Sequence, residues 1–115
     1  MKRFKYAFEG IRVLFVKDFH FAGHLIIAFS VMIFGFVFGL GTIEWLFILN
    51  AIFIVLITEI INTSLEYTVD LVTDEYHALA KYAKDTSALA VLLAAFYAVI
   101  TGLIIFLPKL IELFT

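Results

Sequence analysis

Three apolar runs, residues 21–40, 44–72 and 86–107, take up most of this chain, and they leave it few possible folds. Each is about 20 residues or longer, the length a helix needs to cross a hydrocarbon core about 30 Å thick. Backbone groups in a bilayer find no water, so each run must close its hydrogen bonds within itself as an α-helix. Composition agrees: 64% of the residues are hydrophobic, 16% are charged, and Phe alone occurs 14 times. The mean hydropathy of +1.11 lies far outside the range of water-soluble domains. The expected class is an all-α membrane protein, a single domain over residues 1–115 with transmembrane helices at 21–40, 44–72 and 86–107.

Residues 1–20 read differently. Phe4, Phe8, Ile11, Phe15 and Phe19, with Ala7 and Leu14, recur at spacings of three and four, while Lys2, Arg3, Lys5, Glu9, Arg12 and Lys17 fall between them. Such a helix lies in the headgroup layer with its aromatic face buried, and Asp18 and His20 stand where it should end. Gly39-Leu40-Gly41-Thr42 is a tight turn, followed by Glu44 and Trp45 at the far interface. His24 is expected as an interfacial or hydrogen-bonded histidine. Residues 73–85 are the most polar in the chain; Asp74 is placed to cap a short helix there, and Lys81 and Lys84 come near its end. Pro108 is expected to stop the third span, leaving 109–115 as a short amphipathic tail.

Three spans put the N-terminal segment and residues 73–85 on one side. That side carries Lys2, Arg3, Lys5, Arg12, Lys17, Lys81 and Lys84, against Lys109 on the other, so it is expected to face the cytoplasm. Nothing points to nucleic acid, because the few basic residues line a membrane surface. The absence of Cys removes disulfide and thiolate chemistry.

The second run ends in Thr58-Glu-Ile-Ile-Asn-Thr-Ser-Leu-Glu-Tyr-Thr-Val-Asp70. At about 100° per residue, with Glu59 at 0°, Asn62 falls near 300°, Thr63 near 40°, Glu66 near 340° and Asp70 near 20°. Three carboxylates and a carboxamide thus share one face of an otherwise apolar helix, a costly arrangement in a membrane. A polar seam between helices would more naturally use uncharged side chains, since stacked carboxylates repel unless a cation sits among them. Separated carboxylates near Lys84 and Asp85 at a cytoplasmic surface suit Mg²⁺ with a phosphorylated cosubstrate, and a partly desolvated carboxylate can act as a general base. No glycine-rich phosphate loop is present. From pattern alone, a proton- or cation-conducting oligomer explains the same face as well as a kinase does.

The whole set resembles a known family. Glu59-Ile-Ile-Asn62-Thr-Ser-Leu-Glu66, then Val69-Asp70, Glu75-Tyr-His77 and Ala83-Lys84-Asp85, look like the signature of the small bacterial lipid kinases, the prokaryotic diacylglycerol and undecaprenol kinases. The resemblance extends to the surface helix with its Phe-Glu-Gly-Ile-Arg segment and so covers nearly the whole chain. It implies a homotrimer in the bacterial cytoplasmic membrane, with active sites on the cytoplasmic side shared between protomers, using Mg²⁺ and ATP to phosphorylate a lipid alcohol. Glu59 would be the general base and Asn62 would orient it. Asp18 and Glu66 would hold Mg²⁺. Glu75 and His77 would meet adenine and ribose, Lys84 and Asp85 the phosphates, with Asp70 beside them. Tyr6, Gly10 and Arg12 match surface-helix positions that approach nucleotide or lipid. Three departures stand out: Asp18 where Glu is usual, Ala22 where many relatives carry Arg, and Leu89 where a small residue is usual. Ile43-Glu-Trp, the Ile-Asn-Thr segment after Glu59, and Asp70-Leu-Val-Thr-Asp look more like undecaprenol kinases than diacylglycerol kinases.

Overall fold

A computed structural model describes residues 2–115 and contains four helices: α1, Lys2–Lys17; α2, Phe19–Phe38; α3, Thr42–Val72; and α4, Ala78–Phe114. The last three are each long and apolar enough to cross a membrane. α3 is the central element, packed against α4 along most of its length and against α2 at one side.

The helix ends follow from local chemistry. Asp18 both closes α1 and opens α2: its backbone N–H donates to the Leu14 carbonyl at 2.9 Å, and its carboxylate accepts the His20 N–H at 3.1 Å. The turn after α2 needs a left-handed residue, and Gly39 takes it with φ 66°. Gly41 precedes α3, and its N–H donates to the Glu44 carboxylate at 3.1 Å. Gly35, one turn before Gly39, lies so close to Trp45 that an added Cβ would stand 2.6 Å from the indole. That contact joins the far ends of α2 and α3, where Leu40, Ile48 and Ile105 form a small core with Val31, Ile52 and Phe106 around it.

Two expectations are corrected here. Residues 73–85 are not a polar loop with its own short helix capped by Asp74. The connection covers only residues 73–77, and His77 caps α4 by accepting the Leu79 N–H on Nδ1 at 3.1 Å. Lys81, Lys84 and Asp85 therefore ride on the first turns of the third spanning helix. Nor does Pro108 stop that helix, which runs on to Phe114. Proline removes one backbone donor and restricts the residue before it, but where other contacts hold the chain straight a helix can absorb it. Here Lys109, the next residue, reaches Glu44 of α3 at 3.3 Å and ties the last turns of α4 back to the bundle.

α1 packs against the start of α2 and faces α3 across a groove. Leu14 is its buried residue, and Ala7, Gly10, Ile11, Val13 and Leu14 face Ile60, Thr63, Ser64, Tyr67 and Thr68 across an apolar groove of about 630 Å³. Phe4, Phe8 and Phe15 stay more than half exposed, as a helix resting in lipid requires.

Candidate active site

The polar face of α3 meets α2 and α4, and each contact has a distinct chemistry. Glu59 and Thr63 are one turn apart on α3 and both buried, at 6% and 7% exposure. The Thr63 hydroxyl donates to Asp18 at 2.8 Å, so the cap residue of α2 is tied to the middle of the α3 face. Glu59 lies opposite His24, one helical stretch further along α2, with the imidazole Nε2 at 3.6 Å from a carboxylate oxygen.

The second group faces α4. The Ser87 hydroxyl donates to the Asn62 carbonyl oxygen at 2.7 Å, and the Asn62 amide donates to Glu66 at 3.2 Å. Both ends of the carboxamide are thereby held, which fixes its rotamer and, among the described residues, leaves one N–H of the amide without a protein acceptor. A turn further on, Lys84 donates to Asp70 at 2.7 Å. Beyond it Val69, Asp70, Thr73, Glu75, His77, Lys81, Lys84 and Asp85 border a pocket of about 390 Å³ at the connection between α3 and α4. Within it Lys81 pairs with Asp85 at 2.6 Å.

The residues singled out from sequence therefore fall into three places. Asp18 and Glu59 come together on the α2 side, Asn62 and Glu66 on the α4 side, and Asp70, Glu75, His77, Lys84 and Asp85 around the polar pocket. Gly10 faces the α1–α3 groove. Tyr6 and Arg12 are exposed on α1. Sequence reasoning passed over Thr63, Ser87 and His24 as site residues. Thr63 sits on the polar stripe by angle alone, but a threonine in a membrane helix is ordinarily read as back-bonded to its own turn. Ser87 and His24 carry no signal of their own until tertiary packing places them beside Asn62 and Glu59.

Carboxylate geometry bears on a metal. Among the described residues no three acidic, histidine or cysteine side chains stand together as a cage. Both oxygens of Asp18 accept protein hydrogen bonds, whereas Glu66 is exposed and accepts only one. Glu66 thus keeps oxygen lone pairs open to a cation, and Mg²⁺ needs only one or two carboxylates because phosphate oxygens and water complete its shell.

Comparison with known proteins gives a consistent result. The family model described as prokaryotic diacylglycerol kinase matches residues 5–106. The chain is 44% identical over 109 residues to the undecaprenol kinase of Bacillus subtilis, covering 95% of this chain and 89% of that protein. It is 40% identical over 111 residues to the diacylglycerol kinase of Synechocystis sp., covering 96% of this chain but 63% of that longer protein. Against the diacylglycerol kinase of Escherichia coli strain K12 the identity is 29% over 100 residues, covering 87% and 82%.

Proposed function

The chain belongs to the prokaryotic diacylglycerol kinase family, and from that premise we propose that it transfers the γ-phosphoryl group of ATP to a membrane lipid alcohol, undecaprenol. One structural observation carries the reading: the polar face of α3 lies between apolar surface on one side and the polar pocket at the α3–α4 connection on the other. A lipid hydroxyl and a water-soluble phosphoryl donor can meet only at such a boundary. Undecaprenol is favoured by the 44% relative, which carries that substrate in its name over nearly its whole length. The 40% and 29% relatives, named as diacylglycerol kinases, make diacylglycerol the alternative acceptor.

Residue roles follow from surroundings. Glu59, buried at the end of the apolar stretch, takes the proton of the lipid hydroxyl as the lipid oxygen bonds the γ-phosphorus and the bond from that phosphorus to ADP breaks, ADP leaving. Asn62, gripped by Ser87 and Glu66, holds the acceptor side in line. Glu66 would hold Mg²⁺, which when bound neutralises charge on the phosphate oxygens; Asp18 would join it only by giving up its bond to the His20 N–H or to the Thr63 hydroxyl. Lys84 faces the phosphates, and Asp70 keeps its ammonium aimed inward until they arrive. Asp85, Glu75 and His77 border the pocket for the rest of the nucleotide, and Tyr6, Gly10 and Arg12 lie on the surface helix that approaches it. The enzyme works at the cytoplasmic face of the bacterial inner membrane, as a homotrimer. Asp18, Glu59 and Thr63 meet within one chain, and a neighbouring protomer would complete the site around them.

The test is one assay on purified protein in vesicles: ATP consumption with undecaprenol, with diacylglycerol, and with neither. Consumption that depends on undecaprenol supports the proposal. Dependence on diacylglycerol alone transfers it to the alternative acceptor. No lipid-dependent consumption overturns the kinase reading, including in favour of a proton or cation pathway.

A further inference from the structure

We propose that His24 is a positioning residue for Glu59, holding one carboxylate oxygen so that the other is left for the lipid hydroxyl; the inference rests on Glu59 being the base. Its Nε2 stands 3.6 Å from Glu59 Oε2, a separation that a small rotation of either side chain closes to a hydrogen bond. Glu59 has few other donors to turn to. The Thr63 hydroxyl one turn away is given to Asp18. Lys81, Lys84 and Lys109 are paired with Asp85, Asp70 and Glu44. Among the described residues His24 is the only basic side chain within ion-pair range of this carboxylate. The other titratable groups facing Glu59 are Asp18 and His20. Asp18 repels it, and His20 is exposed outside the bundle.

Packing gives the contact its direction. Phe21, 6% exposed, packs edge-on against Phe15 of α1 and anchors the start of α2, and the imidazole one turn later reaches Glu59 of α3. His24 also stands at the mouth of an apolar cavity of about 130 Å³ between α2, α3 and α4, bordered by Ala28, Ala51, Ile52, Ala98 and Phe106. A side chain with a donor at its tip and an apolar space behind it is suited to orienting a buried carboxylate. An unsupported carboxylate in that setting would sample rotamers that turn its free oxygen away from the acceptor.

The experiment uses the full-length enzyme in vesicles, with nucleotide binding as the measure of folding. His24→Ala should lower kcat about tenfold while leaving KM for ATP unchanged. His24→Gln, whose amide N–H can stand in for the imidazole Nε2–H, should return to within about threefold of the parent. Placed in Glu59→Gln, His24→Ala should cause no further loss, because the group it serves is already gone. The ¹⁵N resonance of the His24 side chain should move in Glu59→Gln, a readout independent of turnover. An equal His24→Ala loss with and without the Glu59 carboxylate overturns the inference, as does a Gln variant no better than Ala, or an unmoved resonance. Near-normal turnover in Glu59→Gln alone is the separate failure, that of the base assignment, and removes the inference with it. If His24→Ala fails to bind nucleotide, His24→Gln and the resonance decide the matter.

Discussion

At the scale of single residues, Glu59 is the most sharply defined position, and its replacement is the most informative. Glu59→Gln keeps the volume and removes the proton acceptor, so turnover should fall roughly 10²-fold or more while nucleotide affinity stays near that of the parent. Single-turnover kinetics beside equilibrium nucleotide binding check this, and retained turnover would remove the base from the mechanism. Asp18 has two jobs to separate. It caps α2 and accepts from Thr63, so Asp18→Ala should destabilise the fold by about 1 kcal/mol through the lost cap. Asp18→Asn keeps the capping oxygen and removes the charge, so it should melt near the parent yet need more Mg²⁺. If Asn and Ala melt alike, the cap contributes little. Glu59, Asn62 and Glu66 were legible in the sequence because helical period alone gathers them on one face. His24 and Ser87 were not, since they come from other helices, 35 and 25 positions from their partners.

At the scale of elements, the number of helices and their order follow from hydropathy, and the turn at Gly39 follows from chain chemistry. What could not be read was where α4 begins and ends. Polar residues on its first turns look like a loop when they stand in the sequence, and Pro108 looks like a stop, because neither pattern records the neighbour that holds the helix together. That neighbour is α3, tied to α4 by Lys84 with Asp70 at one end and by Lys109 with Glu44 at the other. The two carboxylates are about 39 Å apart along α3 and the two lysines about 38 Å along α4, from the helical rise. Sliding one helix by a turn would break both ties together, so they set register. The α2–α3 turn is set instead by close approach. Gly35→Ala should press on Trp45 and cost about 1–3 kcal/mol, read as a lower melting temperature in detergent with the helical content unchanged. An unchanged melting temperature would mean that Trp45 has room to swing aside.

At the scale of the whole molecule, one chain exposes 8829 Å², against about 6,400 Å² for a water-soluble protein of this mass. The surplus is apolar and belongs to lipid or to further copies of the chain. Mixed oligomers test how the copies share work. Combining Asp18→Ala and Glu59→Gln subunits should restore no activity beyond the sum of the parents, since both residues serve one intrachain cluster. Recovery would show that the two residues serve different sites. The ion pair at the start of α3 has a last consequence. It moors Glu44 and Lys109 at the far surface, and Glu59 follows about 22 Å further along a continuous helix. The molecule thus carries a depth gauge: the plane of Glu59, the proposed base, is measured from the opposite surface, while a lipid hydroxyl floats with the near leaflet. Bilayers of graded acyl-chain length should therefore give an activity optimum near a hydrocarbon thickness of about 30 Å, falling on both sides as hydroxyl and carboxylate drift out of level.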